Sequence, residues 1–434
     1  MMHMIRWSWR ELTRPRGVTP HPRHARWRDT MARGRVRSRN SQSGVALLVV
    51  VSAIMIITVL VSEMNYGARV RLLLAAHQKE EVQAYWLART GINMYKLILA
   101  GNMALKNSSI ADYGGMFGVN LGDALWQAVP FISTGLMRML FVSGGDVDEF
   151  EEEELREVAT TGTISDEIAE QSREELSTGH FSDKHFLDFD GDFNASIVDE
   201  DSKVNLNAFS TRTSADILQE EITATTLYGI MSGQEQDQWF YDRDIDRWEI
   251  IGNVADWVDS DNTRCGLRSG YEDDLYNRIE PDPYLAKNVP FDSKEEIRMV
   301  EGWEGEVYDK YKDRITVWGE GKININTASR EVMFGLLKAY CQGTPADSVV
   351  EHCQDTMAEQ VMFSDWQQAS EFTDYLTNNC GCTADDNMAN VITTSSTVFT
   401  VTSMGVVGDT TVTITAVLDY GNSGSGTMKY WRVD

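Results

Sequence analysis

One stretch limits what this chain can become more than any other. From Val45 to Ser62 there are 18 residues without a charge, almost all aliphatic, directly after Gly44. As a helix they would span roughly 27 Å, about one hydrocarbon core. Residues 1–44 before them hold 11 Arg and no Lys against only Glu11 and Asp29, a net of +9, so the formal −27 of the whole chain becomes −36 beyond residue 44. Cationic flanks stay on the cytoplasmic side, so residues 1–43 are expected inside and the chain beyond about residue 63 exported. A body this acidic repels phosphate backbones, which argues against a nucleic-acid partner.

A cleaved signal peptide and a plain signal anchor are the simpler readings. Cleavage needs a small-x-small site just after the apolar run, and Glu63-Met-Asn-Tyr-Gly-Ala-Arg69 is a poor one. The following residues keep a helical pattern without Pro. Val70, Leu73, Leu74, Val82, Tyr85, Trp86, Ile92, Tyr95 and Ile98 recur among Arg69, Arg71, Lys79, Glu80, Glu81, Arg89 and Lys96. The spacing predicts one helix of about 55 residues, Val45–Leu99, half in a membrane and half outside, a form suited to side-by-side packing with other subunits.

A Gly that ends a basic leader just before such a run resembles the prepilin peptidase site of type IV pilins and type II secretion pseudopilins. The resemblance implies cleavage between Gly44 and Val45 and methylation of the Val45 amine. Most of that class carries Glu at the fifth mature position; here it is Val49, a departure that points to the K minor pseudopilin. Met31 offers an alternative start with a shorter basic leader.

Residues 101–178 read as an insertion with some helix, carrying the charge run Asp146–Glu157. His180–Phe193 alternates around an Asp-Gly turn, and Ser196–Asn207 reads as a second strand pair. Asp188-Phe-Asp-Gly-Asp192 opens like a calcium loop but lacks the later ligands, so a hairpin turn is preferred. An internal echo follows: Lys203-Val-Asn-Leu-Asn207 and Lys322-Ile-Asn-Ile-Asn326 each lead into a helical segment. Each is followed by a hairpin signature, Phe291–Gly302 and Phe363–Phe372, with Ser293/Glu296 and Ser364/Gln367 as expected caps. Residues 208–390 therefore read as two related helical units. They resemble helix-hairpin-helix units, but their acidic turn, Gly302-Trp-Glu-Gly-Glu306, fits a structural or protein-binding role better than a DNA reader.

The chemistry concentrates between Asn253 and Tyr276. Asp256, Asp259, Asp261, Glu272, Asp273 and Asp274 would converge if the loop closes on itself. Carboxylates gathered at one point repel unless a hard cation lies between them, and Ca²⁺ takes 6–8 oxygens in flexible loops. A solvated acidic loop is the plainer alternative; paired catalytic carboxylates lack a partner signature. The order Asp256-Trp-Val-Asp-x-Asp261, Gly270-Tyr-Glu-Asp-Asp-x-Tyr276, Pro283-Tyr-Leu-Ala-Lys-Asn288, Pro290–Gly302 and Asn324-Ile-Asn-Thr-Ala328 closely resembles the type II secretion K protein family. The resemblance implies a pseudopilin sheet with a large helical domain inserted, binding structural calcium; the sequence shows no nucleophile–base pairing, phosphate loop or metal triad, so no enzymatic activity is expected. The expected metal ligands are Asp256, Asp259, Asp261, Glu272 and Asp273.

Thr397–Tyr420 reads as a β-hairpin turning at Gly408-Asp409, followed by a last strand, Met428–Val433, after the flexible Gly421–Thr427. These strands need those at 180–207 as partners. Cys341, Cys353, Cys380 and Cys382 bracket the second helical unit and allow one or two disulfides with partners open, leaving Cys265 over.

The expected fold is α+β: a leader (1–44), a membrane and amphipathic helix (45–100), an acidic insertion (101–178), sheet (179–207), a helical domain of two hairpin, SAM-like units (208–395) and closing strands (396–434). The expected role is a minor pseudopilin at the tip of a type II secretion pseudopilus, initiating its assembly. It would be single-pass in a bacterial inner membrane with its C-terminal domain in the periplasm. Expected partners are I- and J-type minor pseudopilins, the major pseudopilin and the prepilin peptidase, with no nucleic acid. A type IV minor pilin and a signal-anchored periplasmic binding module are the alternatives.

Overall fold

The computed structural model describes residues 43–106, 124–137, 189–212, 217–265, 270–279, 281–343, 345–363, 365–421 and 426–434. The leader up to residue 42, the charge run Asp146–Glu157, Asp188, Ser364 and Gly424-Ser425 lie outside them. The chain divides into a first unit, Met1–Val70, and a second, Arg71–Asp434. In chain order the elements are α1 (Ser43–Lys106), α2 (Ala124–Ala128), β1 (Phe131–Ser133), β2 (Asp192–Asp199) and β3 (Val204–Asn205). There follow α3 (Ile222–Ile230), α4 (Gln234–Tyr241), α5 (Arg247–Val258), α6 (Asp273–Tyr276), α7 (Glu306–Tyr311), β4 (Ile315–Thr316) and β5 (Ile323–Asn324). The last are α8 (Arg330–Tyr340), α9 (Asp347–Phe363), α10 (Ala369–Asn379), α11 (Met388–Val391), β6 (Ile392–Thr393), β7 (Val398–Val407), β8 (Thr410–Asp419) and β9 (Thr427–Val433).

In the first unit the described residues are helical, and their large apolar side chains from Val45 to Val61 are exposed. By length and composition α1 can cross a membrane. It runs seven residues past the expected end at Leu99, because Leu99, Asn102 and Met103 extend its buried stripe.

In the second unit that stripe (Ala84, Ala88, Ile92, Tyr95, Leu99, Met103) recurs at helical spacing and covers an antiparallel sheet of order β1-β2-β7-β8-β9. Phe193, Ala195, Ile197, Phe399, Val401, Ile414, Ala416 and Leu418 alternate along the strands to form its inner face. The helix and sheet approach closely where side chains are smallest. A Cβ on Gly405 would lie 2.7 Å from the Ala88 backbone nitrogen and collide with the Ala84 carbonyl. Tyr95 and Tyr420 tie the layers together, their hydroxyls donating to the carbonyls of Val129 (3.2 Å) and Lys96 (3.2 Å).

Two expectations about the sheet are corrected. Phe131–Ser133, inside the stretch read as an insertion, is an edge strand paired with Asn194–Ser196. Its signal was too short, three residues after Pro130, to stand out. Residues 196–207 are not a strand pair either. β2 ends at Asp199, and Val204–Asn205 leaves the sheet to pair in parallel with Ile315–Thr316 of the helical domain. The C-terminal hairpin turns at Gly408, φ +58°, as the period-2 pattern predicts.

The helical domain lies between β2 and β7, and the sequence echo has a structural counterpart. β3 and β5 each pair in parallel with a short strand that closes their half, β4 and β6. Asn205 and Asn324 each accept from the amide two residues on, at 2.9 and 3.0 Å. Asn207 donates to the carbonyls of Phe291 and Val317 and accepts from the Phe291 amide; Asn326 does the same with Trp366 and Thr394 and the Trp366 amide. Each Asn thus pins an aromatic residue and the closing strand of its own half. The halves meet where α3 crosses α8 at Gly229 and Gly335, neither of which has room for a Cβ.

The hairpin signatures take other forms. Lys294–Met299 is a 3-10 turn whose Ser293 makes no capping bond, while Glu296 accepts from the Asp292 amide (3.0 Å) as well as from the Trp257 indole (3.1 Å) and Lys287 (2.9 Å). In the second half α9 continues to Phe363, and α10 is capped by Glu371, which accepts from the amides of Gln367 and Gln368. Disulfides Cys341–Cys382 and Cys353–Cys380 staple this half, while Cys265 is free and buried. They close loops across sequence separations of 41 and 27 residues, each worth about 3–4 kcal/mol on the chain-entropy account. Replacing Cys353 and Cys380 together by Ala should therefore lower unfolding stability by about 2–4 kcal/mol, read from urea midpoints under oxidising conditions.

Candidate metal centre

α5 begins at Asp246, whose side chain accepts from the Trp248 amide, and ends at Asp259. Asp256 and Asp259 therefore share one face of its last turn, where the helix dipole disfavours negative charge. The loop returns through a bridge between Thr263 and Tyr271, with the Arg264 amide donating to the Gly270 carbonyl, and this brings Glu272 back beside them. Carboxylate oxygens of Asp256, Asp259 and Glu272 all lie within 4.8 Å of one another, and all three residues are buried (3%, 0% and 1% exposed).

The hydrogen bonding here is incomplete. Asp256 accepts from the Cys265 amide (2.9 Å), and Asp259 accepts from Arg212 through one oxygen (3.0 Å). The other Asp259 oxygen, both oxygens of Glu272 and the side-chain oxygen of Asn288 are buried without a hydrogen-bond partner among the described residues. Burial, then the charges of Asp261 and Asp256, push Asp259 up to about 7. Burial, then Asp256, Asp259 and Asp261, push Glu272 up to about 8. Burial likewise raises Asp256. Buried oxygens without donors are costly unless a cation meets them. Three carboxylates and Arg212 leave a formal −2, and an all-oxygen donor set suits a hard divalent cation.

The structure thus brings together three of the five expected ligands. Asp261 is half-buried beside the cluster, accepting from the Thr263 amide (2.8 Å). Asp273 turns away to accept from the Ala286 amide (3.1 Å), and Asp274 accepts from that of Tyr271. Both hold the strap at residues 281–290 or the loop rim instead of the centre, because α6 points successive side chains in different directions. Two contributors were missed. Arg212, 47 residues before Asp259, has no local signal. Asn288, at φ +52°, donates its amide to the Trp257 carbonyl (2.9 Å) and its side chain to the Asp261 carbonyl and Asn262. Its trace in the sequence was the segment Pro283-Tyr-Leu-Ala-Lys-Asn288, which carried the family resemblance but no ligand signal. Gly44 and Val45, the other predicted site, lie exposed in the first turn of α1.

Residues 202–320, which span the first half of the helical domain and this centre, match the family model for type II secretion system (T2SS), protein K. The match is confined to these residues and covers less than half of the chain. No curated protein matches the chain. Among solved structures, it is similar to a chain in the crystal structure of the GspK-GspI-GspJ complex from the enterotoxigenic Escherichia coli type 2 secretion system. There the TM-score is 0.43 at 18% identity, covering 56% of this chain and 80% of that one.

Proposed function

We propose that this chain is a minor pseudopilin of a type II secretion system, anchored by α1 in a bacterial inner membrane with its sheet and helical domain in the periplasm. The observation that carries the reading is the protein K family match of residues 202–320 on a chain that also carries a membrane-length helix from Gly44. A prepilin peptidase cuts between Gly44 and Val45 and methylates the new amine. The mature helix then packs with those of I- and J-type minor pseudopilins and of the major pseudopilin. Val49 removes the carboxylate that would meet the amine of a subunit below, and a helical domain of this size is hard to accommodate within a stack. Both features support a place at the tip, where assembly begins. The role is structural and non-enzymatic.

Within this role the centre at Asp256, Asp259 and Glu272 holds Ca²⁺ as a structural ion, with Arg212 orienting Asp259. Bound there, the ion supplies the positive charge that the buried carboxylates lack and fixes the loop against α5.

Intact mass and N-terminal sequencing of membrane-extracted protein test the assignment. From cells with active prepilin peptidase the chain should begin at Val45 with a methylated amine; without the peptidase it should retain its basic leader. A leader retained in both, or a cut beyond Ser62, leaves a signal-anchored or soluble periplasmic module instead.

A further inference from the structure

The sheet and the helical domain are joined by two crossing segments, residues 199–204 leaving β2 and residues 393–398 returning to β7. Three consecutive acids, Asp199, Glu200 and Asp201, sit at that crossing, and all are buried (4%, 3% and 7% exposed). Three adjacent buried carboxylates are costly unless they are hydrogen-bonded, and here each accepts three hydrogen bonds.

Their partners come from different bodies. Asp199 accepts from the hydroxyls of Ser396 and Thr327, and from the Asp201 amide at 2.8 Å. Glu200 accepts from Lys203 (2.7 Å), from Thr316 on β4 in the first helical half, and from Thr400 on β7 in the sheet (2.7 Å). Asp201 accepts from the amide (2.7 Å) and hydroxyl (3.0 Å) of Thr397 and from the Val398 amide (3.1 Å). The backbone adds to this: the Asp201 carbonyl accepts from the Asn324 amide of β5, in the second half, and the Glu200 amide donates to the Val398 carbonyl. Asn324 closes the ring by donating its side chain to the Ser396 hydroxyl at 2.6 Å. Three residues thus bond the sheet, the first helical half and the second at one point.

We propose that Asp199-Glu200-Asp201 is a rigid joint that makes the sheet and the inserted helical domain a single cooperative body. A plain two-strand crossing would act as a hinge between domains with separate cores. Cross-linking hydrogen bonds in a water-poor site remove that freedom, since opening the joint strands three carboxylates together. The acids are positioning residues, and the inference is independent of the metal centre and of the secretion role.

Hydrogen exchange along a guanidinium series tests it, using full-length oxidised protein in detergent with excess Ca²⁺ throughout. In the wild type the slow amides of β7–β8 and those of α5 and α8 should lose protection at one common midpoint. In Asp201→Ala, where Thr397 and Val398 lose their acceptor, the two groups should separate by about 0.5 M or more. Ile414→Val, which trims the sheet core alone, should shift both groups together. Two midpoints in the wild type, or a parallel shift in Asp201→Ala, overturn the proposal. If Asp201→Ala does not accumulate as folded protein, the milder pair Ser396→Ala with Thr397→Val is judged by the same criterion.

Discussion

Chelating divalent cations should lower the melting temperature of this protein by about 5–10 °C, and Glu272→Gln should abolish that response. A ligand at a hundredfold over its dissociation constant stabilises by about 2.7 kcal/mol, and in a body of this size each kcal/mol is worth about 2–4 °C. The variant makes the prediction sharper than the chelation alone. Without metal, Glu272 must either bury a charge beside two other carboxylates, with no donor for either oxygen, or take up a proton. The neutral amide relieves that repulsion, so metal-free Glu272→Gln should melt above metal-free wild type while gaining nothing from Ca²⁺. A variant that still responds to Ca²⁺ as the wild type does would remove the ion from this centre.

The same carboxyls set a pH dependence. A carboxyl whose folded pKa lies above its unfolded value binds more protons when folded, so it penalises the native state increasingly as pH rises through that interval. Asp259 is raised from 3.8 to about 7 and Glu272 from 4.5 to about 8. Metal-free stability should therefore be greatest near pH 4 and decline up to about pH 8. The gain from Ca²⁺ should grow over the same interval, because only ionised carboxylates ligate it. Thermal melts at fixed ionic strength, with and without Ca²⁺, read both slopes.

Gly405→Leu should destabilise the second unit by about 3 kcal/mol or more, near the upper end for a single core substitution. A side chain at this position would enter the backbone of α1 at Ala84 and Ala88. The helix would have to rise from the sheet, opening the contacts of Ile92, Tyr95 and Leu99 with Phe399, Val401 and Ile414. The expected shift is about 1 M in urea midpoint if the slope is near 3 kcal/mol/M. Met404→Leu, one residue away on the outer face and 39% exposed, should move it by less than about 0.2 M. Equal effects at the two positions would contradict the close approach of helix and sheet.

What could be read in advance follows from how far apart the cooperating residues lie. The α1 stripe, the Thr397–Tyr420 hairpin and the paired Lys-x-Asn-x-Asn strings all carry their pattern within one element, as a period or a repeated spacing. The loop acids Asp256, Asp259 and Glu272 were legible because one closed loop holds all three. Of the cap expected at Lys294–Met299 only the Glu296 half forms, to the Asp292 amide, and the other bonds of Glu296 go to Trp257 and Lys287 outside the segment.

The membrane-length helix, the α+β composition, the duplication in the helical domain and the acidic loop could be read along the chain, since each depends on sequence neighbours. Folding alone reveals that Phe131–Ser133 completes the sheet, that Asp273 lies outside the buried carboxylate cluster while Arg212 joins it, and that Asp199, Glu200 and Asp201 bond to three bodies at once. Those are contacts between side chains up to about two hundred residues apart. Burial and unmet hydrogen bonds select such contacts after the chain has closed on itself, and no local period records them.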